Sequence, residues 1–556
     1  MHANKLNKYS ILLIIILIIA FIIRFIGAEN PFCGNDKAMF QQFSIDSFPI
    51  EGLNSLFKFD NYGMGNPLRV FALLYSIIYP IFWIFILGIY TIIGIPITEL
   101  SWRLPVILIG LLSLIVIYRF LLLFLKKKES LMITAFFAIL PIHVAWSRSL
   151  ANIMMFSLPI QLGAIYYCIK YFQTNNTKYA FRNSVLSAIF ILTDNFFPQF
   201  ILVMAFTILA SNNDMFNSFQ KFTALLKKIL NWQTLLLPIT AGIFQILIYF
   251  MGKFISTSDV GANIGMIGHI FAKPKYFDFH LLSLADSFLG VINPVLFIFI
   301  LLMVTIGIKH LFTLKKESIL LFAGLIYSLP FAFFLDPSTV NVKVYIFTSI
   351  VFLIMFSFIM LFKLKFKPYF KNIILVILFI VTILHLFPKI YGIPEYDTNF
   401  ITNGAYLYDC GIKAVGFWVR TNTAPEAKIM SKYESTRIGP INGKYYLHRQ
   451  IYNVFEPANM NNFFEKHLNE VDYIILGPYD NDYIQKAEKN SFILSYKLLY
   501  QNNKTFLVFS KNVTKTSRNF KNVDISKYDA FYTRTFNKLT DYVGAPNYVS
   551  DSPAWV

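Results

Sequence analysis

KVYIFTSIVFLIMFSFIMLFKLKFKPYFKNIILVILFIVTILHLFP, residues 343–388, decides the fold. Two apolar runs, 343–362 and 372–388, flank a turn that carries Lys363, Lys365, Lys367 and Lys371. About 20 apolar residues in an α-helix cross the hydrocarbon core of a bilayer. A lysine-rich turn between two such runs marks a cytoplasmic loop. After Pro388 the pattern stops and the chain to Val556 reads as soluble protein.

The same pattern recurs towards the N-terminus. Apolar runs occupy 9–27, 103–125, 131–147, 151–170, the short pair 183–193 and 197–210, then 234–251, 287–308 and 318–335. With the two quoted above they make about eleven spans. Composition agrees: of 556 residues, 56% are hydrophobic and 14% are charged, with a mean hydropathy of +0.56. Soluble domains carry about a quarter charged residues, and disordered chains have low hydrophobicity. Both classes are excluded. The sequence predicts a polytopic α-helical membrane domain, 1–388, followed by a soluble domain, 389–556.

The net charge of +19 sits mainly in the membrane part, which holds 29 basic and 14 acidic residues against 20 and 16 after Pro388. Basic residues scattered between apolar spans set topology and do not form a nucleic-acid surface, so no nucleic acid is expected as a partner. The clusters at Lys5/Lys8, Lys126–Lys128, Lys170/Lys178/Arg182, Lys221/Lys227/Lys228, Lys309/Lys315/Lys316 and Lys363–Lys371 all fall on one side only if 68–93 is not a full crossing. Pro80, Gly88, Gly94 and Pro96 interrupt that stretch. It is read as a broken juxtamembrane or re-entrant hairpin packed against protein, where such backbone is tolerated. The first loop, 28–102, the loop 252–286 and the domain from Lys389 then face outside. A chain rich in Ile, Lys, Asn and Phe points to an AT-rich prokaryotic genome, hence the plasma (inner) membrane with a periplasmic or extracellular outer side.

In the C-terminal domain, strand-like runs at 427–431, 445–448, 471–477, 491–499 and 505–509 alternate with helical patterns at 405–420, 461–469 and 482–490, which predicts an α/β layer. The tail from Lys511 has little pattern. Cys33, Cys168 and Cys410 form no metal-binding spacing and no disulfide framework; one bridge, Cys33 to Cys410, and two separate thiols are both open.

One ordered set of motifs carries a resemblance. The first span ends in Arg24, and Asn35-Asp36-Lys37 follows in the loop. Asn66-Pro67-Leu68-Arg69 comes next, then Trp102-Arg103-Leu104-Pro105, and finally Pro141-Ile142-His143-Val144-Ala145-Trp146-Ser147-Arg148. Their order resembles the GT-C superfamily of membrane glycosyltransferases, in the branch of protein O-mannosyltransferases and the lipid A aminoarabinose transferase. The likeness covers 9–170 by motif and the rest by layout.

The resemblance implies an inverting glycosyltransferase. It would move a sugar from a polyprenyl-phosphate-linked donor to a protein, lipid A or lipopolysaccharide, or another cell-envelope glycan at the outer face. Inversion needs a carboxylate to accept the proton of the attacking hydroxyl, and a departing lipid phosphate needs cations. Asp36 matches the family's acidic position in the first loop and is the candidate base; a helix N-cap is its competing reading. Arg69, Arg148, Lys273, Lys275 and Lys343 are candidate ligands of the donor phosphate. Snorkelling to the interface competes for Arg69 and Lys343, and a headgroup-facing loop for the two lysines around Pro274. Lys37 stands where the family has a second acid, and Asn152 where many relatives have Asp. These departures favour a metal-independent mechanism with no cofactor, a divalent cation remaining open. A second reading is a transporter or flippase of lipid-linked saccharides, which calls for an internal repeat and mid-membrane charge; a third is a polysaccharide ligase or polymerase of another membrane fold, and a non-catalytic membrane protein is open as well. His143, in an apolar run, is expected to be hydrogen-bonded between helices.

Overall fold

A computed structural model describes residues 8–28, 78–95, 99–148, 153–193, 197–212, 218–230, 232–255, 284–285, 288–289, 291–333, 342–386, 411–432, 436, 446–447, 449–454, 460–500, 504–511, 520–526, 528 and 548–550. They divide into two compact units, one of apolar helices and one built on a sheet; the sheet unit also takes in 87–102.

Each predicted apolar run contains a helix among the described residues. In chain order the helices are α1 (Lys8–Phe25), α2 (Ile78–Ile93), α3 (Glu99–Leu121), α4 (Lys127–Ile139), α5 (Pro141–Trp146), α6 (Ile153–Thr174), α7 (Thr177–Thr193) and α8 (Phe197–Ser211). They continue as α9 (Phe219–Ile229), α10 (Trp232–Ile255), α11 (Pro294–Gly307), α12 (Lys309–Phe312), α13 (Ser318–Phe333), α14 (Val342–Lys363) and α15 (Pro368–Leu386). Among the described residues, five segments are long and apolar enough to cross a membrane by themselves: Lys8–Phe25, Glu99–Leu121, Pro294–Phe312, Ile346–Lys363 and Pro368–Leu386. The count of eleven therefore rests on the apolar runs, several of which form shorter helices.

Two of these expectations need correction. Residues 131–147 do not form one helix. Leu140 is extended (φ −65°, ψ 120°) and Pro141 opens α5, because the residue before proline is driven out of the helical region while proline fits the first helical position. Of the stretch 68–93, residues 68–77 lie outside the described residues; in 78–93 neither Pro80 nor Gly88 breaks the helix. Pro80 lies in the first turn, where its missing N–H is harmless, and α2 runs unbroken until Gly94 takes a left-handed φ of +74°. At 1.5 Å per residue its 16 residues reach about 24 Å, short of the roughly 30 Å hydrocarbon core.

Burial sorts the helices. Every residue from Ile346 to Leu361 on α14 is buried, with α4, α6, α11 and α13 packed around it. On α1 only Ala20 and Arg24 are buried, while Ile11, Ile14, Ile15, Ile18 and Ile22 are exposed. Such an apolar surface on a bundle suits lipid.

The sheet unit holds α16 (Ile412–Asn422), β1 (Lys428–Lys432), β2 (Gln450–Val454), α17 (Met460–His467), β3 (Tyr473–Leu476), α18 (Asn481–Lys489), β4 (Phe492–Tyr500), β5 (Lys504–Lys511), β6 (Lys521–Asp524) and β7 (Tyr548–Ser550). Strand order is β6-β4-β5-β3-β1-β2-β7. β1 pairs in parallel with β2 and β3, and β5 is antiparallel to β3 and β4. This is the expected α/β layer, with three differences. Tyr446 and Leu447 are helical, and the second strand starts at Gln450. The tail supplies β6 and β7, which the sequence reading left without structure. Phe464, Leu468, Ile474, Leu476, Tyr483 and Phe509 fill one side of the sheet. Buried Glu99 accepts a 2.8 Å hydrogen bond from Tyr446 Oη and lies 3.4 Å from Lys413 Nζ.

Tyr452 on β2 gives this unit an alkaline limit. Burial, then its hydrogen bond to Glu470 and that carboxylate's charge, push the phenol up to about 12 from its ordinary 10.0. A raised native value means that the folded state keeps a proton which the unfolded chain has already lost. The contribution is whole below pH 10 and falls away as the pH rises towards 12. Denaturation of the full chain, followed by intrinsic fluorescence, should show stability falling over that interval, and less steeply in Tyr452→Phe. Equal slopes in both proteins would refute this origin.

Candidate functional site

Three of the motifs quoted for the resemblance, those of Arg24, Arg103 and Pro141–Arg148, lie among the described residues and come together near the C-terminal end of α1. Arg24 is fully buried there. Its Nε donates to Ser147 Oγ at 2.7 Å, Nη1 donates to the carbonyls of Ala20 (2.9 Å) and Ala138 (3.0 Å), and Nη2 lies 2.8 Å from His143 Nδ1. A guanidinium can only donate, so Nδ1 must accept, and His143 is held as the neutral Nε2–H tautomer. Nε2 then donates to Ser113 Oγ at 2.9 Å, and the Ser113 hydroxyl donates in turn to the Gly110 carbonyl at 2.6 Å. This chain links α1, α3 and α5, and it bears out the expectation for His143.

The backbone explains how the chain forms. Ser147 and Arg148 make the turn that closes α5, through Ser147 N–H to His143 O (3.1 Å) and Arg148 N–H to Ala145 O (3.1 Å). Gly110 on α3 lies against this turn, and a Cβ there would collide with Ser147 Cβ. Only glycine admits so close an approach.

Arg148, next to Ser147, is 1% exposed, and Arg103 is equally buried with Nη1 donating to Ala28 O at 2.9 Å. The end of α1 thus gathers three buried guanidiniums, Arg24, Arg103 and Arg148. Three formal positive charges in a low-dielectric interior make a strong field for an anion.

Of the sequence-predicted residues, Arg148 is the one whose side chain the structure describes. Lys343 lies in the first turn of α14, with its side chain outside the described residues. Asp36, Arg69, Lys273 and Lys275 lie outside the described residues altogether, as do Cys33 and Cys410. Cys168 is a buried free thiol. Among the described residues no three His, Cys, Asp or Glu side chains group to hold a metal ion.

The sequence reading used Arg24 and Arg103 as landmarks and missed them as site residues. The signal was present: an arginine inside an apolar span is costly and marks a functional position.

The chain shares its fold, an apolar helical unit followed by a mixed-sheet unit, with a solved membrane-protein structure. It matches the crystal structure of ArnT from Cupriavidus metallidurans bound to undecaprenyl phosphate, with a TM-score of 0.51 and 10% identity over 90% of this chain and 98% of that one. The apo form of the same protein gives 0.49 and 10% over 90% and 97%. The Archaeoglobus fulgidus oligosaccharyltransferase in complex with zinc and sulfate gives 0.45 and 13% over 90% and 73%. No protein-family profile and no curated sequence matches the chain.

Proposed function

We propose that the chain is an inverting glycosyltransferase that uses a polyprenyl-phosphate-linked sugar and acts at the outer face of a prokaryotic plasma membrane. The observation that carries this reading is the gathering of Arg24, Arg103 and Arg148 at one end of α1, in a fold shared with a protein that binds undecaprenyl phosphate. The acceptor hydroxyl attacks the anomeric carbon and a glycosidic C–O bond forms. The C–O bond to phosphate breaks, its electron pair staying on the phosphate oxygen, and the proton passes to the Asp36 carboxylate. Charge grows on the phosphate as the bond breaks, so fixed cations stabilise the transition state more than the ground state. Arg148 serves this role with Arg69, Lys273, Lys275 and Lys343 from the outer segments. The acceptor is a protein, a lipid A or lipopolysaccharide, or another envelope glycan, and the soluble domain lies outside.

Catalysis without a metal is part of the proposal. It rests on Lys37 and Asn152, which stand where a second and a third carboxylate would be needed for a divalent-ion site. Three guanidiniums supply charge of the kind a metal ion would otherwise provide.

The test is transfer from undecaprenyl-phosphate sugars labelled in the sugar, in vesicles holding the purified full chain and an envelope extract as acceptor. The label should leave the lipid, free undecaprenyl phosphate should appear in equal amount, and chelation should not stop the reaction. Sugar that crosses the bilayer still attached to its lipid would replace this reading with that of a flippase.

A further inference from the structure

The end of the helical unit away from Arg24 carries a second concentration of positive charge, which the proposed chemistry does not use. α1 and α4 run parallel, for Lys127 Nζ stands 6.0 Å over the Tyr9 ring at their start while Arg24 bonds Ala138 at their far end. The two ends of the 18-residue α1 are about 27 Å apart.

Lys316 Nζ lies 5.7 Å from the centre of the Phe124 ring, close in sequence to Lys127. Lys170 Nζ lies 6.0 Å over Tyr166 on α6, and Lys363, the last residue of α14, pairs with buried Glu317. The turn that presents Lys315 and Lys316 is tightly made. Leu314 is held at φ +45°, unusual for a side-chain-bearing residue, and Ser318 bonds the Lys315 carbonyl through both its N–H (2.8 Å) and its Oγ (2.5 Å). Burial first, then the charges of Lys170 and Lys363, hold the Lys316 ammonium below its ordinary value. Lys363 pairs with Glu317, the residue next to Lys316, so like charges share this turn and an anion beside them would relieve their repulsion.

The surroundings indicate what kind of anion. Phe312, in the helix just before this turn, is 84% exposed, and Phe366, Tyr369 and Phe370 are exposed just beyond Lys363. Large aromatic side chains interleaved with lysines are the composition of a bilayer interface, where acyl chains lie beside the rings and phosphates beside the ammoniums.

We propose that Lys170, Lys316 and Lys363, with exposed Lys315 at the rim, seat the phosphate of an anionic phospholipid headgroup. The site is separate from that of the sugar donor and lies in the opposite leaflet. Glu317 balances one of the four lysines, which leaves an excess of three charges at the seat.

The full chain, purified in a neutral detergent, would be titrated with phosphatidylglycerol, phosphatidylcholine of the same acyl chains, and inorganic phosphate, with bound molecules counted by native mass spectrometry. Phosphatidylglycerol should bind and phosphatidylcholine should not, and millimolar phosphate should neither bind nor displace the lipid. The double variant Lys170→Gln/Lys316→Gln should bind phosphatidylglycerol on the order of 30-fold more weakly, whereas Lys170→Arg/Lys316→Arg should keep it. Should the Gln pair fail to fold, the salt dependence of the unaltered chain decides, since binding must weaken from 0.05 to 0.5 M salt, about the range over which screening sets in. Retention of binding by the Gln pair, equal binding of the two lipids, insensitivity to salt, or displacement by free phosphate would each overturn the proposal.

Discussion

Asp36→Asn is expected to slow sugar transfer by about 10²- to 10⁴-fold, the usual worth of a positioned general base, while the protein still inserts and folds. Asparagine keeps the shape of the side chain and removes its ability to take a proton. A sugar alcohol or a serine hydroxyl at neutral pH is a poor nucleophile unless its proton leaves as the new bond forms. The departing phosphate is no substitute, because in an inverting displacement it lies on the far side of the anomeric carbon from the attacking hydroxyl. If Asp36 were instead a helix cap, the same change would leave transfer nearly intact, since asparagine caps as well as aspartate. The measurement is initial rate at saturating donor, with the KM for donor determined in parallel. A fall in rate at unchanged KM assigns the base, and near-normal turnover in a folded variant removes Asp36 from the mechanism.

Arg24→Met should have the largest effect on stability. Methionine fits the apolar surroundings but replaces none of the four contacts, to Ser147 (2.7 Å), Ala20 (2.9 Å), Ala138 (3.0 Å) and His143 (2.8 Å). Breaking a buried charged network by removing one partner costs about 3–5 kcal/mol, because the partners left behind have no water to turn to. In detergent this should lower the thermal midpoint by about 3–4 °C. Arg24→Lys keeps the charge but presents it as a point and not a fork, so it should recover only part of the loss. A midpoint within about 1 °C of the unaltered protein for Arg24→Met would show that the network carries no weight. Because Ser147 adjoins Arg148, whose charge acts chiefly in the transition state, the Lys variant should also lower the rate constant more than it raises the KM for donor.

The membrane part of the fold is legible because a bilayer leaves the chain few options: each apolar run must satisfy its backbone internally and becomes a helix. Length and hydropathy are enough to find α1, α3 and α11 to α15. They do not reveal the break at Leu140, which depends on a single proline, nor the continuity of α2, where Pro80 is harmless because it falls in the first turn. In the sheet unit, β3, β4 and β5 follow the pattern of their apolar residues. Tyr445–His448 misleads because so short an apolar run fits a helical turn as well as a strand. β6, with the sequence Lys-Asn-Val-Asp, is an edge strand whose register comes from Tyr496–Leu499 of β4 and not from its own composition. The candidate site divides similarly. His143 and Arg148 stand out by residue type in an apolar setting, whereas the joining of Arg24 to Ser147, 123 residues away, exists only once α3 and α5 have packed through Gly110.

The envelopment of α14 governs how freely this fold drifts in sequence. A side chain on α1 has fluid hydrocarbon as its neighbour, and one aliphatic group there serves nearly as well as another. From Ile346 to Leu361 every side chain is instead buried, on a helix enclosed by its neighbours. With no water to drive helices together, their association depends on the fit of those surfaces. Alphabet-level comparison averages over both kinds of position, which is how a backbone alike over 90% of its length coexists with 10% identity; the historical constraint is stored as steric complementarity around one strut.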